Sequence, residues 1–219
     1  PDDDEIRPLD PEQVDFFLTY LDALIADKAT GKQRPHRNAT LYHVAIRCGL
    51  REGELIGLRW SDIDLKRREL HVAGQIQKGT RRKTKSGDRG RRTLPLSYDL
   101  VSVLAWHKQN QIEERAIAGA GWNAAELVFC SDTGTPINPS NLNYQFDRFL
   151  RQTELPDLRF HHLRHTYAAL NIAAGMDLYI LSRRMGHSSI TITADKYGHL
   201  YQGHNQDADA LDRLLKRSA

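Results

Sequence analysis

Gly49-Leu50-Arg51-Glu52-Gly53-Glu54-Leu55-Ile56-Gly57-Leu58-Arg59-Trp60-Ser61-Asp62-Ile63-Asp64 stands where the character of the chain changes. Before it, apolar residues recur at helical spacing. Val14, Phe17, Leu18, Leu21, Leu24 and Ile25 predict a helix from Asp10 to about Ala29. Asp10 is its N-cap, with Pro11 at the first helical position. Gly31 to Asn38 is polar and basic and reads as a loop. Thr40 to Cys48 is a second apolar-periodic helix, and Gly49 is its stop. Glu52 to Trp60 reads as a third.

After it the period drops to two. Glu69–Gln77 and Arg92–Leu96 read as strands flanking a stretch rich in Lys, Arg and Gly. Helix then returns over Tyr98–Ala118, with Val101, Leu104, Ile112 and Ile117 among its apolar positions. Leu127–Cys130 is a short buried extended segment, and Ser131–Pro139 is turn chemistry. Ser140–Gln152 is a helix capped by Ser140 or Asn141. Residues 162–174, 177–185, 189–197 and 205–217 also read as helices, with Gly175 and Gly186 as stops. The expected fold is a single mainly α domain with one small antiparallel sheet.

The 219 residues, 40% hydrophobic and 27% charged, describe an ordinary globular chain. No apolar run approaches the roughly 18 residues of a membrane span, and the opening Pro1-Asp2-Asp3-Asp4-Glu5 is unlike a secretory leader. Two cysteines, Cys48 and Cys130, lack CxxC spacing. They argue against structural zinc and a disulfide framework, and fit a reducing cytoplasm. The net charge of +3 hides a split, because residues 1–30 carry nine acids against Arg7 and Lys28, leaving the remainder at +10. A basic body suits a polyanionic partner; chance clustering on solvated faces is the plainer account.

Four constellations carry chemistry. Arg51 stands at a helix start, where a guanidinium adds donors to free backbone N–H groups and suits a phosphate. A surface Arg paired with Glu54 is the alternative. Phe160-His161-His162-Leu163-Arg164-His165-Thr166 gathers three histidines and an arginine. His161 and His165, four apart, could share a metal, but no thiol, carboxylate or HExxH glutamate completes the set. The remaining readings are a phosphate-binding cluster with a titratable base, and a histidine-rich cap. Met185-Gly186-His187 precedes Tyr197-Gly198-His199. Cations near a phenol, ordinarily of pKa about 10, would make its phenolate a more accessible nucleophile. Between Lys78 and Arg92, eight of fifteen residues are Lys or Arg, opposed by Asp88 alone. Such a hairpin can track DNA phosphates, with Arg81, Arg82, Arg89 and Arg91 as contacts, or can be a solvated loop.

The ordered set GLREGELIGLRWSDID, KTKSG, FHHLRHT, MGHSSIT and DKYGHL resembles the catalytic domain of the tyrosine recombinase (phage integrase) family from about Asp10 to Leu200. The resemblance implies a site-specific DNA recombinase that cleaves and rejoins strands through a 3′-phosphotyrosyl intermediate, without metal, ATP or other cofactor. It implies that Arg51 and Arg164 grip the scissile phosphate and that Glu54 orients Arg51. His161 serves as general base or phosphate ligand, His187 hydrogen-bonds the phosphate, and Tyr197 is the nucleophile. A hairpin lysine is the general acid, Lys83 first and Lys85 as alternative. Cys48, His162 and Met185 depart from usual family residues, and the hairpin tip looks a few residues long.

The implied partners are double-stranded DNA, further copies forming a tetramer on DNA, and accessory DNA-bending proteins; no membrane is involved. The implied setting is the cytoplasm of a bacterial host, with the gene in a phage or mobile element. Residues 1–9 are expected to link to an N-terminal DNA-binding domain, 10–203 to form the catalytic domain, and 204–219 to form a tail helix that docks on its own domain or on a neighbouring subunit. Two alternatives stand beside this: a non-catalytic helix-turn-helix regulator built on residues 162–185, and a DNA-relaxing topoisomerase.

Overall fold

The computed structural model describes residues 8–29, 37–77, 79–82, 84, 87–123 and 125–201. The helical periodicity becomes α1 (Pro11–Ala29), α2 (Ala39–Cys48), α3 (Glu52–Ile56), α4 (Tyr98–Ala118), α5 (Pro139–Leu150), α6 (His162–Ala173), α7 (Leu178–Met185) and α8 (Ile190–Tyr197). Asp10 caps α1 reciprocally: its Oδ1 accepts from Gln13 N at 2.8 Å, and its own N–H donates to Gln13 Oε1 at 3.1 Å. Gly49, Gly175 and Gly186 all take positive φ, as helix stops require.

The strands form two small antiparallel sheets. β1 (Ile63–Asp64), β2 (Glu69–Val72) and β5 (Arg92–Pro95) make the first, in the order β1-β2-β5. Its register sets Leu70 opposite Ile63 on one side and Leu94 on the other. β3 (Gln75–Gln77) and β4 (Thr80–Arg82) make the second. The single strand expected over 69–77 is therefore broken at Ala73-Gly74, where a side chain on Gly74 would meet the Arg82 carbonyl.

Other boundaries also moved. The third helix ends at Ile56 rather than Trp60, because Leu58 leaves it and its carbonyl accepts from Val128 N–H. A side chain on Gly57 would strike the Ile76 backbone, so β3 lies directly against this turn. α5 is capped by Asn138, whose Oδ1 accepts from Ser140 N–H, and not by Ser140 or Asn141. The far end of α4 outruns the core, leaving Ile112 and Ile117 exposed. Most of the expected loop at 31–38 and the whole tail helix at 205–217 lie outside the described residues.

The main core is aromatic at its centre. Tyr42 of α2 meets Phe146 and Phe149 of α5 and Phe160 before α6, with ring centroids 5.1, 5.2 and 6.1 Å apart. A smaller cluster of Tyr167, Ala168, Ile172, Leu181, Met185 and Tyr197 joins α6, α7 and α8. Gly49 connects the two, with φ +60° and an ideal Cβ only 2.3 Å from Tyr167 Cδ1. Gly49→Ala therefore combines a left-handed backbone with overpacking, and should cost about 2–4 kcal/mol of unfolding free energy. Urea denaturation measures this, and a loss below about 0.5 kcal/mol, the size of an ordinary surface substitution, would refute the close contact.

Candidate active site

α2 and α3 meet at a sharp corner, and Arg51 is its far side. With Gly49 ending α2, Arg51 becomes the N-cap of α3 in extended conformation. Its N–H donates to Glu54 Oε2 at 3.0 Å, and its guanidinium donates to Glu54 Oε1 at 2.9 Å and to the Gly186 carbonyl at 2.7 Å. Glu54 is fully buried and has a second cation. Arg92, opening β5, donates to Glu54 Oε2 at 2.8 Å and to Oε1 at 3.2 Å. Burial works against the charge on Glu54, but Arg92 and Arg51 overcome it and hold its carboxyl below the usual range.

Arg164 reaches the same place from α6 with 5% of its surface exposed. It donates to the Gly49 carbonyl, to the Met185 carbonyl at 2.6 Å and to His187 Nε2 at 3.1 Å. Arg92 also donates to the Arg184 carbonyl at 2.6 Å. Three guanidinium groups thus sit on three consecutive carbonyls, those of Arg184, Met185 and Gly186, at the C-terminal end of α7. A helix end carries unsatisfied carbonyls and partial negative charge, so cations are its natural caps. A side chain on Gly186 would come within 2.6 Å of Arg92 Nη1, so only glycine leaves room for them.

His187 follows at once. Arginine cannot accept a hydrogen bond, so Nε2 offers its lone pair to Arg164 and Nδ1 carries the proton, which it donates to Thr193 Oγ1 at 2.7 Å. Burial, then the charges of Arg164 and Arg51, hold this imidazole down to about 3, so it is neutral.

Tyr197, at the end of α8, is 2% exposed, and its Oη lies 2.6 Å from His165 Nδ1. Burial raises the phenol to about 12 against the pull of Arg164. The sequence suggested that cations would ease ionisation; in the fold, loss of water outweighs them. His165 is likewise kept neutral, at about 3, chiefly by burial and then by His161 and Lys196. His161 stands at the exposed N-cap of α6, with its ring edge-on to His165 at 4.8 Å between centroids. Nδ1 of His165 is taken by the phenol. Among the described residues, no three His, Cys, Asp or Glu gather as metal ligands.

Arg51, Glu54, Arg164, His187 and Tyr197 therefore converge, with His161 at the rim. Lys83 and Lys85 lie outside the described residues, as does the side chain of Arg89. Of the hairpin arginines, Arg82 and Arg91 are exposed, whereas Arg81 is held by Asp62 Oδ2 at 3.3 Å and the Gly57 carbonyl at 3.4 Å. Sequence reasoning missed Arg92, His165 and Thr193 as parts of this cluster. Arg92 was counted among the hairpin bases, although its position at the head of a strand set it apart.

A profile of the phage integrase family matches residues 8–204. The chain belongs to the phage integrase family. A XerC-like tyrosine recombinase of Caldanaerobacter subterraneus subsp. tengcongensis is 37% identical over 197 residues, covering 82% of this chain and 49% of its own length. The ICEBs1 integrase of Bacillus subtilis is 32% identical over 183 residues, covering 80% and 49%. The chain thus spans about half the length of these relatives. In fold it is similar to the Tn1549 transposon integrase, with a TM-score of 0.72 at 23% identity over all of this chain and 69% of that one. The catalytic domain of bacteriophage HP1 integrase gives 0.56 at 18% identity, covering 98% of this chain and all of that domain.

Within this integrase-family site, Glu54 balances two buried cations. Glu54→Gln should destabilise the protein by about 3 kcal/mol at neutral pH, since it strands Arg51 and Arg92 with no counter-charge. The folded carboxyl titrates below its unfolded value, so this contribution is complete above the ordinary carboxylate range and fades as pH falls through the folded pKa. Denaturation of both proteins across acid pH checks this: the gap between them should narrow toward low pH, and a constant gap would contradict the charge argument.

Proposed function

We propose that the chain is the strand-cleaving and rejoining part of a site-specific DNA recombinase. The observation that carries this reading is the convergence of Arg51, Arg92 and Arg164 on the end of α7, beside His187 and Tyr197. Three guanidinium groups against one carboxylate leave positive charge in a buried place, which a phosphodiester would neutralise. Arg51, partly exposed and with donors to spare, faces the phosphate first, and Arg164 completes the grip. Each such preorganised donor is typically worth roughly 10²–10³-fold in rate. A phosphate also relieves the pressure that keeps His187 neutral, freeing Nε2 to take a proton and donate it to a phosphate oxygen.

Tyr197 Oη then forms a bond to phosphorus and the bond to the 5′ oxygen breaks. A 3′-phosphotyrosyl linkage and a 5′ hydroxyl result. A second transesterification reverses the exchange on a new strand, so no ATP is consumed. The names of the relatives, tyrosine recombinase and integrase, support this. So does the DNA in related structures, where the Tn1549 integrase is bound to a circular intermediate and XerH to a palindromic difH substrate after cleavage. Exchange between two duplexes calls for four copies, with the tail after Tyr201 as a device for joining them and DNA-bending proteins as helpers. The non-catalytic helix-turn-helix regulator reading fares worse, because it gives no role to the convergence of Arg51, Arg92 and Arg164 beside His187 and Tyr197.

Incubation with nicked duplexes carrying the ends of the host element should give an SDS-stable protein–DNA adduct. Tyr197→Phe should abolish that adduct and leave non-covalent binding nearly intact. Persistent adduct would move the nucleophile elsewhere, first to Tyr201, whose hydroxyl now donates to the Met176 carbonyl at 2.7 Å. Strand exchange between two duplexes, rather than relaxation alone, separates recombinase from topoisomerase.

The general acid is testable in the same assay. Lys83→Ala should slow cleavage of an ordinary phosphodiester more than Lys85→Ala does. A 5′-bridging phosphorothiolate, whose thiolate leaves without a proton, should restore Lys83→Ala. Rescue confined to Lys85→Ala would reverse the assignment.

A further inference from the structure

The residue next to Arg164 makes a contact that the phosphate grip does not use. His165 Nδ1 lies 2.6 Å from Tyr197 Oη, and both side chains are at least 95% buried. The contact is short and buried, and its two sides come from different helices, α6 and α8. Its placement is firm. Arg164, one residue earlier, is anchored to the Gly49 and Met185 carbonyls, and Thr166, one residue later, accepts from Leu9 N–H at 3.1 Å. The His161 ring packs edge-on against the imidazole at 4.8 Å between centroids.

The other imidazoles of the site are otherwise placed. His187 has Nε2 on Arg164 and Nδ1 on Thr193. His161 stands at the exposed rim of α6, against the ring of His165. Among the described residues, the hydrogen-bond partner of the phenol is His165.

We propose that His165 is a catalytic residue that takes the phenolic proton of Tyr197 as the strand is cut and returns it as the strand is rejoined. This rests on Tyr197 being the nucleophile. In the forward step the Tyr197 oxygen–phosphorus bond forms, the bond from phosphorus to the 5′ oxygen breaks, and the phenolic proton passes to Nδ1. The 5′ oxygen receives its proton from the general acid on the hairpin. In the reverse step a 5′ hydroxyl attacks, Tyr197 leaves, and Nδ1 gives the proton back.

The resting state holds the proton on the phenol, since burial disfavours both phenolate and imidazolium. Two changes on the reaction path reverse that preference. A phosphate seated between Arg51 and Arg164 cancels part of the positive charge that presses on His165. Bond formation to phosphorus drains the phenolic oxygen and makes its proton acidic. The proton therefore moves within the transition state, as general-base catalysis requires.

The test is single-turnover adduct formation on the nicked substrate by the full chain, with natural tyrosine or 3,5-difluorotyrosine placed at 197 by codon suppression. His165→Asn should slow adduct formation about 10²-fold, the usual size of a lost general base, with DNA binding unchanged. Fluorination acidifies the phenol, so it should recover most of that loss while changing the parent protein little. A residue that merely positions Tyr197 would leave the slow variant unrescued, and that result overturns the proposal, as does parent-like cleavage by His165→Asn. Rescue of His161→Asn in place of His165→Asn would pass the role to His161.

His165→Gln serves if the Asn variant does not fold. The unsubstituted protein gives an independent check on a 5′-phosphorothiolate substrate, where the leaving group needs no proton. Adduct formation there should show a solvent deuterium isotope effect that fluorination removes, and absence of any effect counts against a base. Adduct formation by Tyr197→Phe would defeat the nucleophile assignment itself, a failure separate from any result at His165.

Discussion

The end of α7 holds this site together. A helix of eight residues, Leu178 to Met185, finishes at Gly186 in the left-handed region. Backbone N–H groups of Gly186 and His187 satisfy the Arg183 and Ser182 carbonyls. Guanidinium groups from β5, α6 and the α2–α3 corner cover the next three carbonyls. These segments are far apart in sequence. What brings them together is one short run of backbone whose polarity suits cations. Glycine at 186 is part of the same constraint, because a methyl group there would fall among the guanidinium atoms.

Charge explains the rest of the arrangement. Bringing three arginines together in a buried place is unfavourable, and Glu54 offsets only part of it. The carboxylate is used twice, by Arg51 and by Arg92, while Arg164 has carbonyls and an imidazole instead of a counter-ion. Burial lowers Arg164 to about 9, with Arg51 adding to the effect, and it still carries its charge at neutral pH. Burial keeps His187 and His165 uncharged, reinforced at His187 by Arg164 and Arg51 and at His165 by His161 and Lys196. On the proposed reading, cations already held in place would need no reorganisation around a phosphodiester, which is where electrostatic catalysis gains its size.

Much of this was legible in the residues, for reasons that also mark where legibility stopped. The helical reading located α1, α2, α4 and α6 through α8, and Gly49, Gly175 and Gly186 marked the ends of α2, α6 and α7. Periodicity could not see that Leu58 would leave α3 to pair with Val128, or that a run of alternating residues would divide at Gly74 between two sheets. The resemblance to tyrosine recombinases implied that Arg51, Arg164, His187 and Tyr197 belong to one cluster, and their residue types suit a phosphate. Arg92 was hidden by neighbours of the same charge, and only strand pairing with Val72 separates it from the hairpin tip. His165 was obscured by an i, i+4 spacing that also suits a metal. The direction of the Tyr197 shift depended on burial, which composition does not report.

The histidine-rich helix owes its character to being covered on several sides. Successive residues on a helix point about 100° apart, so three neighbours can serve three surroundings. Arg164 turns to the α2 stop and the end of α7, His165 turns to Tyr197, and Thr166 turns to the backbone of Leu9. An ordinary core helix would fill such positions with Leu or Ile. Here polar side chains are buried, and each has its hydrogen bond, which is the condition for tolerating them. The arrangement also limits independent movement. A shift of α6 large enough to release Tyr197 from His165 would disturb the Arg164 contacts as well. α6 thus couples the Arg164 contacts at the end of α7 to the Tyr197 hydroxyl on α8.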